Sequence, residues 1–235
     1  MENNRETFDH SDTIQEERIL TFMESMGGSN TPFLQEKERE ALAEDIPIIR
    51  EQTQSLIRFL LELRHPKNIL EVGAATGFSS LFLRTYADTA AKITTIERDP
   101  ERAERARLHY REAEEAGVFQ GTPGITLLEG DAADILKTLE GEYDFLFMDA
   151  AKGQYGNFLP EVLRLLSPGG LLLSDNIFKD GEILESRFAV KRRDRTIHRR
   201  MRDYLYQLTH HPLLTTTVLP LGDGVTLSVK TKEES

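Results

Sequence analysis

The chain has 235 residues, 39% of them hydrophobic, enough for one large domain with a sizeable core. It contains no cysteine, which excludes disulfides, thiolate zinc sites and cysteine nucleophiles. Its formal net charge of −11 argues against polyanion binding over the whole surface, so any nucleic-acid contact has to be local. No run approaches the roughly 18 consecutive apolar residues of a membrane helix. The polar start MENNRETFDHSD lacks the apolar stretch of a secretory signal, so a cytoplasmic protein with no membrane partner is expected.

Thr13-Ile-Gln-Glu16 has capping-box spacing and predicts a helix carrying Ile19, Leu20, Phe22 and Met23. Gly27-Gly-Ser-Asn30 breaks it, and Thr31-Pro32 opens a second helix with proline at its first position. A third is expected over residues 49–64. A regular alternation follows. Apolar runs at 68–72, 92–96, 125–128, 143–148 and 170–174 read as strands, and 78–86, 100–116, 132–139 and 155–166 as helices. Asp99-Pro100 caps the helix at 100–116 and Gly117 stops it. Strands alternating with helices imply right-handed crossovers and a parallel, doubly wound α/β sheet, and continuous apolar strands imply that both faces are covered. A last helix over 189–208 precedes a terminal hairpin, 215–219 and 225–229 around Gly222-Asp-Gly224. The expected organisation is a single domain, 1–235, with a helical extension over 1–45 and a catalytic core over 46–230.

Ligands of an open parallel sheet bind outside the carboxyl ends of its strands. Those ends carry Glu71-Val-Gly73-Ala-Ala-Thr-Gly77-Phe-Ser79, Glu97, Gly130-Asp131-Ala132, Asp149-Ala-Ala-Lys152 and Asp175-Asn176, one carboxylate from each of five strands. Gly73 and Gly77 let the backbone approach a ligand closely, although a plain tight turn explains them as well. Glu97, 24 residues beyond Gly73, suits a ribose diol or is simply a solvated carboxylate. Asp131 and Ala132 would border an adenine ring, and Asp131 also suits a helix N-cap. These features fit a nucleoside cofactor without a pyrophosphate. Asp149, Asp175 and Asn176 are hard oxygen donors suited to Mg²⁺ or Ca²⁺, unless Asp175-Asn176 only makes a turn.

The motifs ILEVGAATGFSS, TIERDP, GDA, FMDAAKGQY and SDNIF, in this order, resemble those of the cation-dependent, S-adenosylmethionine-dependent O-methyltransferases, the group of the catechol and caffeoyl-coenzyme A enzymes. The resemblance spans roughly residues 46–229. Within the family, DAAKGQY, the basic segment after DNIF and the GDG hairpin look most like the bacterial tRNA 5-hydroxyuridine methyltransferases. The resemblance implies a Rossmann-like methyltransferase fold, a mostly parallel seven-stranded sheet with a C-terminal antiparallel hairpin and extra N-terminal helices. It implies S-adenosylmethionine contacts from Ile49, Glu71, Gly73, Ser79, Glu97, Asp131, Ala132 and Asp149. It implies Mg²⁺, or another hard divalent cation, on Asp149, Asp175 and Asn176, and a homodimer. Asp149 would act in catalysis as a ligand, and Lys152 is the candidate general base or anion stabiliser, unless it only pairs with neighbouring carboxylates.

Between Arg187 and Arg202 stand eight Lys/Arg and one acid, in an otherwise acidic chain. On a helix over 189–208, Ile197, Met201, Tyr204, Leu205 and Leu208 would share one face. Arg192, Arg195, Arg199 and Arg202 would share the other, flanked by Lys191, Arg193 and Arg200. Charges of one sign cannot neutralise each other, and they crowd the helix end where the macrodipole disfavours cations. The segment is therefore expected to bind a phosphate backbone, unless it is simply a solvated helix face, and the resemblance to the tRNA 5-hydroxyuridine methyltransferases implies tRNA as the substrate and methylation of wobble 5-hydroxyuridine to 5-methoxyuridine as the activity. The alternative is a small phenolic acceptor of the catechol or caffeoyl-coenzyme A kind. A non-catalytic or NAD-linked dinucleotide fold fits poorly with the missing third glycine.

Overall fold

A computed structural model of the protein describes residues 18–19, 21–23, 25–119, 124–179 and 181–231. The capping box Thr13–Glu16 and Leu20 lie outside the described residues; Ile19, Phe22 and Met23 lie in helical backbone and are exposed. Helix α1 (Pro32–Ala43) starts at Thr31, whose side chain accepts from the Leu34 N–H, and Pro32 takes the position where no N–H is needed. Helix α2 (Glu51–Arg64) begins two residues later than its apolar pattern suggests, because Arg50 is extended.

The alternation then runs β1 (Asn68–Val72), α3 (Phe78–Tyr86), β2 (Lys92–Glu97), α4 (Pro100–Glu115), β3 (Ile125–Glu129), α5 (Ala132–Thr138), β4 (Tyr143–Met148), α6 (Tyr155–Leu165) and β5 (Leu166–Ser174). Asp99 accepts from the N–H groups of Glu101 and Arg102, and Asp131 from Ala133, so both expected N-caps form. Strand β5 starts four residues before its apolar run: Ser167-Pro-Gly-Gly170 belongs to it, across a register irregularity against β4. Helix α7 (Arg195–His210), β6 (Leu214–Leu219) and β7 (Val225–Lys230) complete the fold. The seven strands lie in the order β3-β2-β1-β4-β5-β7-β6. The first five are parallel, and β7 inserts antiparallel between β5 and β6.

Strand periodicity divides the core in two. Ile69, Phe145, Phe147, Leu171 and Leu173 face a cluster completed by α1 to α4. Leu70, Val72, Leu146, Met148 and Leu172 face another completed by α5, α6 and α7. Each such buried side chain contributes roughly 1.5–3 kcal/mol, so the sheet's orientation is strongly fixed. The chain order reverses between β1 and β4, which opens a crevice at their carboxyl ends.

The basic helix starts six residues later than expected. Residues 189–194 form turns, with Asp194 N–H donating to Lys191 O, and the first helical bond runs from His198 N–H to Asp194 O. The late start leaves Lys191, Arg192 and Arg193 outside the helix, just before Asp194, which sets a carboxylate at the helix's positive end. Arg192 therefore does not share a helix face with Arg195, Arg199 and Arg202. The buried face is as expected at Met201, Tyr204 and Leu208, and includes His198.

Candidate active site

The crevice is a cleft of about 560 Å³. Ile49, Gly73, Ser79, Glu97, Asp131, Ala132, Asp149, Lys152 and Asn176 all line it, so five separate strand ends converge as the spacing suggests. Each strand's ladder continues into the rim: Gly73 N–H donates to Ile96 O (2.9 Å), Gly130 to Glu97 O (2.9 Å), Asp149 to Val72 O (3.0 Å) and Asp175 to Met148 O (3.0 Å).

The turn after β1 is built by contacts from behind. Gly73 has φ +105°, and a Cβ there would sit 2.0 Å from Asp149 O, so only glycine lets the β1 and β4 ends meet. Gly77, at φ +90°, caps α3 against the ring of Tyr110. Glu97 braces the turn, its Oε2 accepting from Ala75 N–H and its Oε1 from Asp99 N–H, both at 2.8 Å. His109 supports it from α4, with Nδ1 2.8 Å from Thr76 O, which requires the proton on Nδ1. Burial is the main influence holding this imidazole below its ordinary pKa. Its Nε2 faces Glu40 at 3.8 Å, and Lys37 bridges Glu40 and Glu112, tying the turn to α1.

Glu71 departs from the expectation. It shares the sheet face of Ile69, points at α3 and lies fully buried off the cleft lining, with Ser80 and Thr95 hydroxyls donating to Oε2. Burial pushes its carboxyl up to about 7, against those hydrogen bonds. It braces the turn's underside, and any contact with a ligand would pass through the turn.

At the other end of the cleft, Asn176 Nδ2 lies 2.9 Å from Asp149 Oδ1, and Asn176 N–H donates to Asp175 Oδ1 (2.8 Å). Asn176 is in the left-handed region at φ +57°, which turns its amide toward Asp149. Asp175 is 2% exposed and lies just beneath the lining. Burial, then the charges of Asp149 and Asp223, push its carboxyl to about 7, with Arg50 opposing. Burial also raises Asp149, against Asn176 and Lys152. Tyr155 ties the two strand ends together, accepting from Ala150 N–H (3.2 Å) and reaching Asp175 O (3.0 Å).

Lys152 meets Asp223 as an ion pair, Nζ to Oδ2 at 3.1 Å. Asp223 reaches the cleft because the β6–β7 turn docks on the end of β5: Ile177 N–H donates to Gly224 O and Phe178 N–H to Asp223 O. A Cβ on Gly224 would lie 2.3 Å from the Phe178 ring, so glycine permits this docking. Sequence reading missed Asp223, His109, Tyr155 and Arg50 as site residues. Two signals were available: Tyr155 ends the FMDAAKGQY motif, and Gly222-Asp-Gly224 was read as a hairpin and a family feature without a role for Asp223.

The donors suit a cation: two carboxylates raised mainly by burial, one amide, and no histidine or cysteine among them. Among the described residues no group of three or more His, Cys, Asp or Glu is placed to hold a metal, so a cation here depends on Asn176. Of the expected RNA-binding residues, Arg200 abuts the cleft, donating to Gly153 O at 3.1 Å beside the lining residues Lys152 and Gln154.

Residues 28–231 match the family model described as O-methyltransferase. The chain belongs to this family. It is 32% identical over 133 residues to the catechol O-methyltransferase of Niastella koreensis, covering 55% of this chain and 58% of that one. It is 31% identical over 180 residues to caffeoyl-CoA O-methyltransferase 5 of Nicotiana tabacum, covering 73% of this chain and 72% of that one. The chain thus spans less than two thirds of the catechol enzyme's length. An S-adenosylhomocysteine-bound methyltransferase of Podospora anserina superposes with a TM-score of 0.79 at 28% identity, over 99% of this chain and 98% of that one. The O-methyltransferase fold read from the motifs is therefore the fold of the chain. Among the described residues no helix is long and apolar enough to cross a membrane.

Proposed function

We propose that the chain is an S-adenosylmethionine- and Mg²⁺-dependent O-methyltransferase that converts 5-hydroxyuridine at the tRNA wobble position to 5-methoxyuridine. The observation that carries the methyl-transfer reading is the convergence of Gly73, Glu97, Asp131, Asp149 and Asn176 on one cleft. Gly73 lets the β1 and β4 ends meet at the cleft, Glu97 retains acceptor capacity for a ribose diol, and Asp131 for an adenine amino group. Asp149, Asp175 and Asn176 would hold the cation, the amide turning to present its oxygen. When bound, a cation in this place favours the anionic form of an acceptor hydroxyl and fixes its oxygen. The side chains around the cleft then have to align donor and acceptor, a positioning contribution of roughly 7–11 kcal/mol. Lys152 enters as a cation partnered by Asp223, which suits an anion stabiliser better than a general base.

The tRNA reading rests on the basic run, which meets the cleft's edge at Arg200. Among the described residues Arg193 is the one Arg or Lys between 187 and 202 in an ion pair, with Asp194 at 3.3 Å. The second reading, a small phenolic acceptor, is favoured by the names of the catechol and caffeoyl-CoA relatives. A homodimer belongs to the proposal: Phe59 and Leu63 on α2, with Phe22 and Met23, leave apolar surface exposed. The test is nucleoside mass spectrometry of tRNA carrying 5-hydroxyuridine after incubation with the protein, S-adenosylmethionine and Mg²⁺. The expected result is 5-methoxyuridine, lost in excess chelator. Unchanged tRNA together with methylation of a catechol would replace the first reading with the second.

A further inference from the structure

We infer that the segment between Phe178 and α7 is a clamp for an unpaired nucleotide, in which Phe188 stacks on a base while Arg187, Lys191, Arg192 and Arg193 hold the flanking phosphates. This rests on the tRNA reading above and names the group that grips the strand.

Phe188 is 87% exposed, the highest value among the large hydrophobic residues described, and Leu184 beside it is 71% exposed. Burying a phenylalanine recovers roughly 1.5–3 kcal/mol, and the fold leaves this ring in water. The segment is nevertheless anchored on both arms. Ile183 and Val190 are buried. Arg202 donates to Ile183 O (3.2 Å), Arg195 Nε to Val190 O (3.2 Å), and His198 Nε2 lies 3.0 Å from Glu185 O. Lys179 reaches Asp194 at 3.1 Å across the base. The ring is thus held out at an apex rather than left on a loose strand.

Arg187, Lys191, Arg192 and Arg193 around that apex are exposed, against Glu185 as the exposed acid among the described residues of the same stretch. A bare aromatic ring among cations is the arrangement by which proteins hold single strands, because every base has a stacking face and every nucleotide a phosphate. A membrane surface would also accept an apolar tip with basic flanks. Two observations favour a nucleotide. Among the described residues of the segment only two large apolar side chains project, and the basic helix touches the cleft rim through Arg200 and Gly153.

The chain has no tryptophan, so Phe188→Trp installs a single fluorescent reporter at the apex. Oligouridylate and an RNA hairpin with an unpaired loop should quench it, a duplex of equal length much less, with an affinity that falls steeply as salt rises. Phe188→Ala should weaken binding of the same hairpin roughly 5- to 150-fold, with Phe188→Tyr restoring most of it. Unchanged emission with RNA bound, or an unchanged affinity in Phe188→Ala, overturns the clamp and leaves the tRNA reading standing. A native chain that neither binds nor methylates tRNA overturns both. A blue-shifted rise with phosphatidylserine vesicles and no response to RNA replaces the clamp with a membrane contact.

Discussion

On the β1–β3 side of the cleft the carboxylates are already engaged by neutral main-chain donors: Glu97 by Ala75 and Asp99, Asp131 by Ala133. On the β4–β5 side Asp149 and Asp175 crowd each other, Asp223 adds a third charge, and burial raises both aspartates. One half is organised by its own hydrogen bonds and needs nothing further to hold its shape. The other is short of positive charge, and Lys152 and Arg50 do not make up the difference. The contrast teaches that preorganisation and ligand dependence are separable within a single cleft.

Asp175→Ala should break this contrast most sharply. Turnover should fall by about 10³-fold or more, while calorimetric titration shows S-adenosylhomocysteine affinity changed only a few-fold, since Asp175 lies off the lining. Retained turnover would mean that the acidic half is not where the acceptor is activated. Gly73→Ala attacks the junction of the halves. A methyl group 2.0 Å from Asp149 O at φ +105° should cost about 3 kcal/mol or more, a fall in Tm of roughly 6–12 °C by calorimetry.

Glu71→Gln sharpens the comparison from below. Its folded pKa of about 7 lies above the unfolded value of 4.5, so the folded state binds that proton more tightly. Stability from this group is fully present below pH 4.5 and is lost as pH rises through about 7, up to about 3 kcal/mol. Denaturant titrations from pH 4.5 to 8 should show that decline in the native chain and a flatter profile in the variant. His109→Ala should have the smallest effect. Removing the donor to Thr76 O should weaken S-adenosylhomocysteine binding by about 1 kcal/mol, roughly fivefold, with His109→Asn recovering part of it.

Much of this is legible in the chain because the signals are local. The apolar runs of β1 and β4, the Asp99-Pro100 cap and the glycines after β1 each act within a few residues, and the folded elements agree with them. The start of β5 was hidden because its apolar run begins only at residue 170, whereas Leu166 already pairs with Tyr143 and the ladder resumes at Leu171 after a register shift. The basic helix was extended too far because same-sign periodicity continues through turns that precede Asp194. Glu71 was placed on the rim with the other carboxylates, although strand parity puts it with Ile69 on the α3 face. The Gly222-Asp-Gly224 window marked a turn but not the role of Asp223, which reaches Lys152 only through docking of a hairpin from far along the chain. Local pattern specifies elements, and long-range packing decides which side chains share a site.

The docking of Gly224 on Phe178 also has a consequence for biosynthesis. A ribosome delivers the Gly73 turn, Glu97 and Asp131 long before it delivers Asp223, and β5 has no partner on its outer edge until β7 emerges. On the reading proposed above, the β1–β3 side of the cleft would be complete in sequence before the hairpin that carries Asp223, so the cleft would gain its last wall only when that hairpin docks.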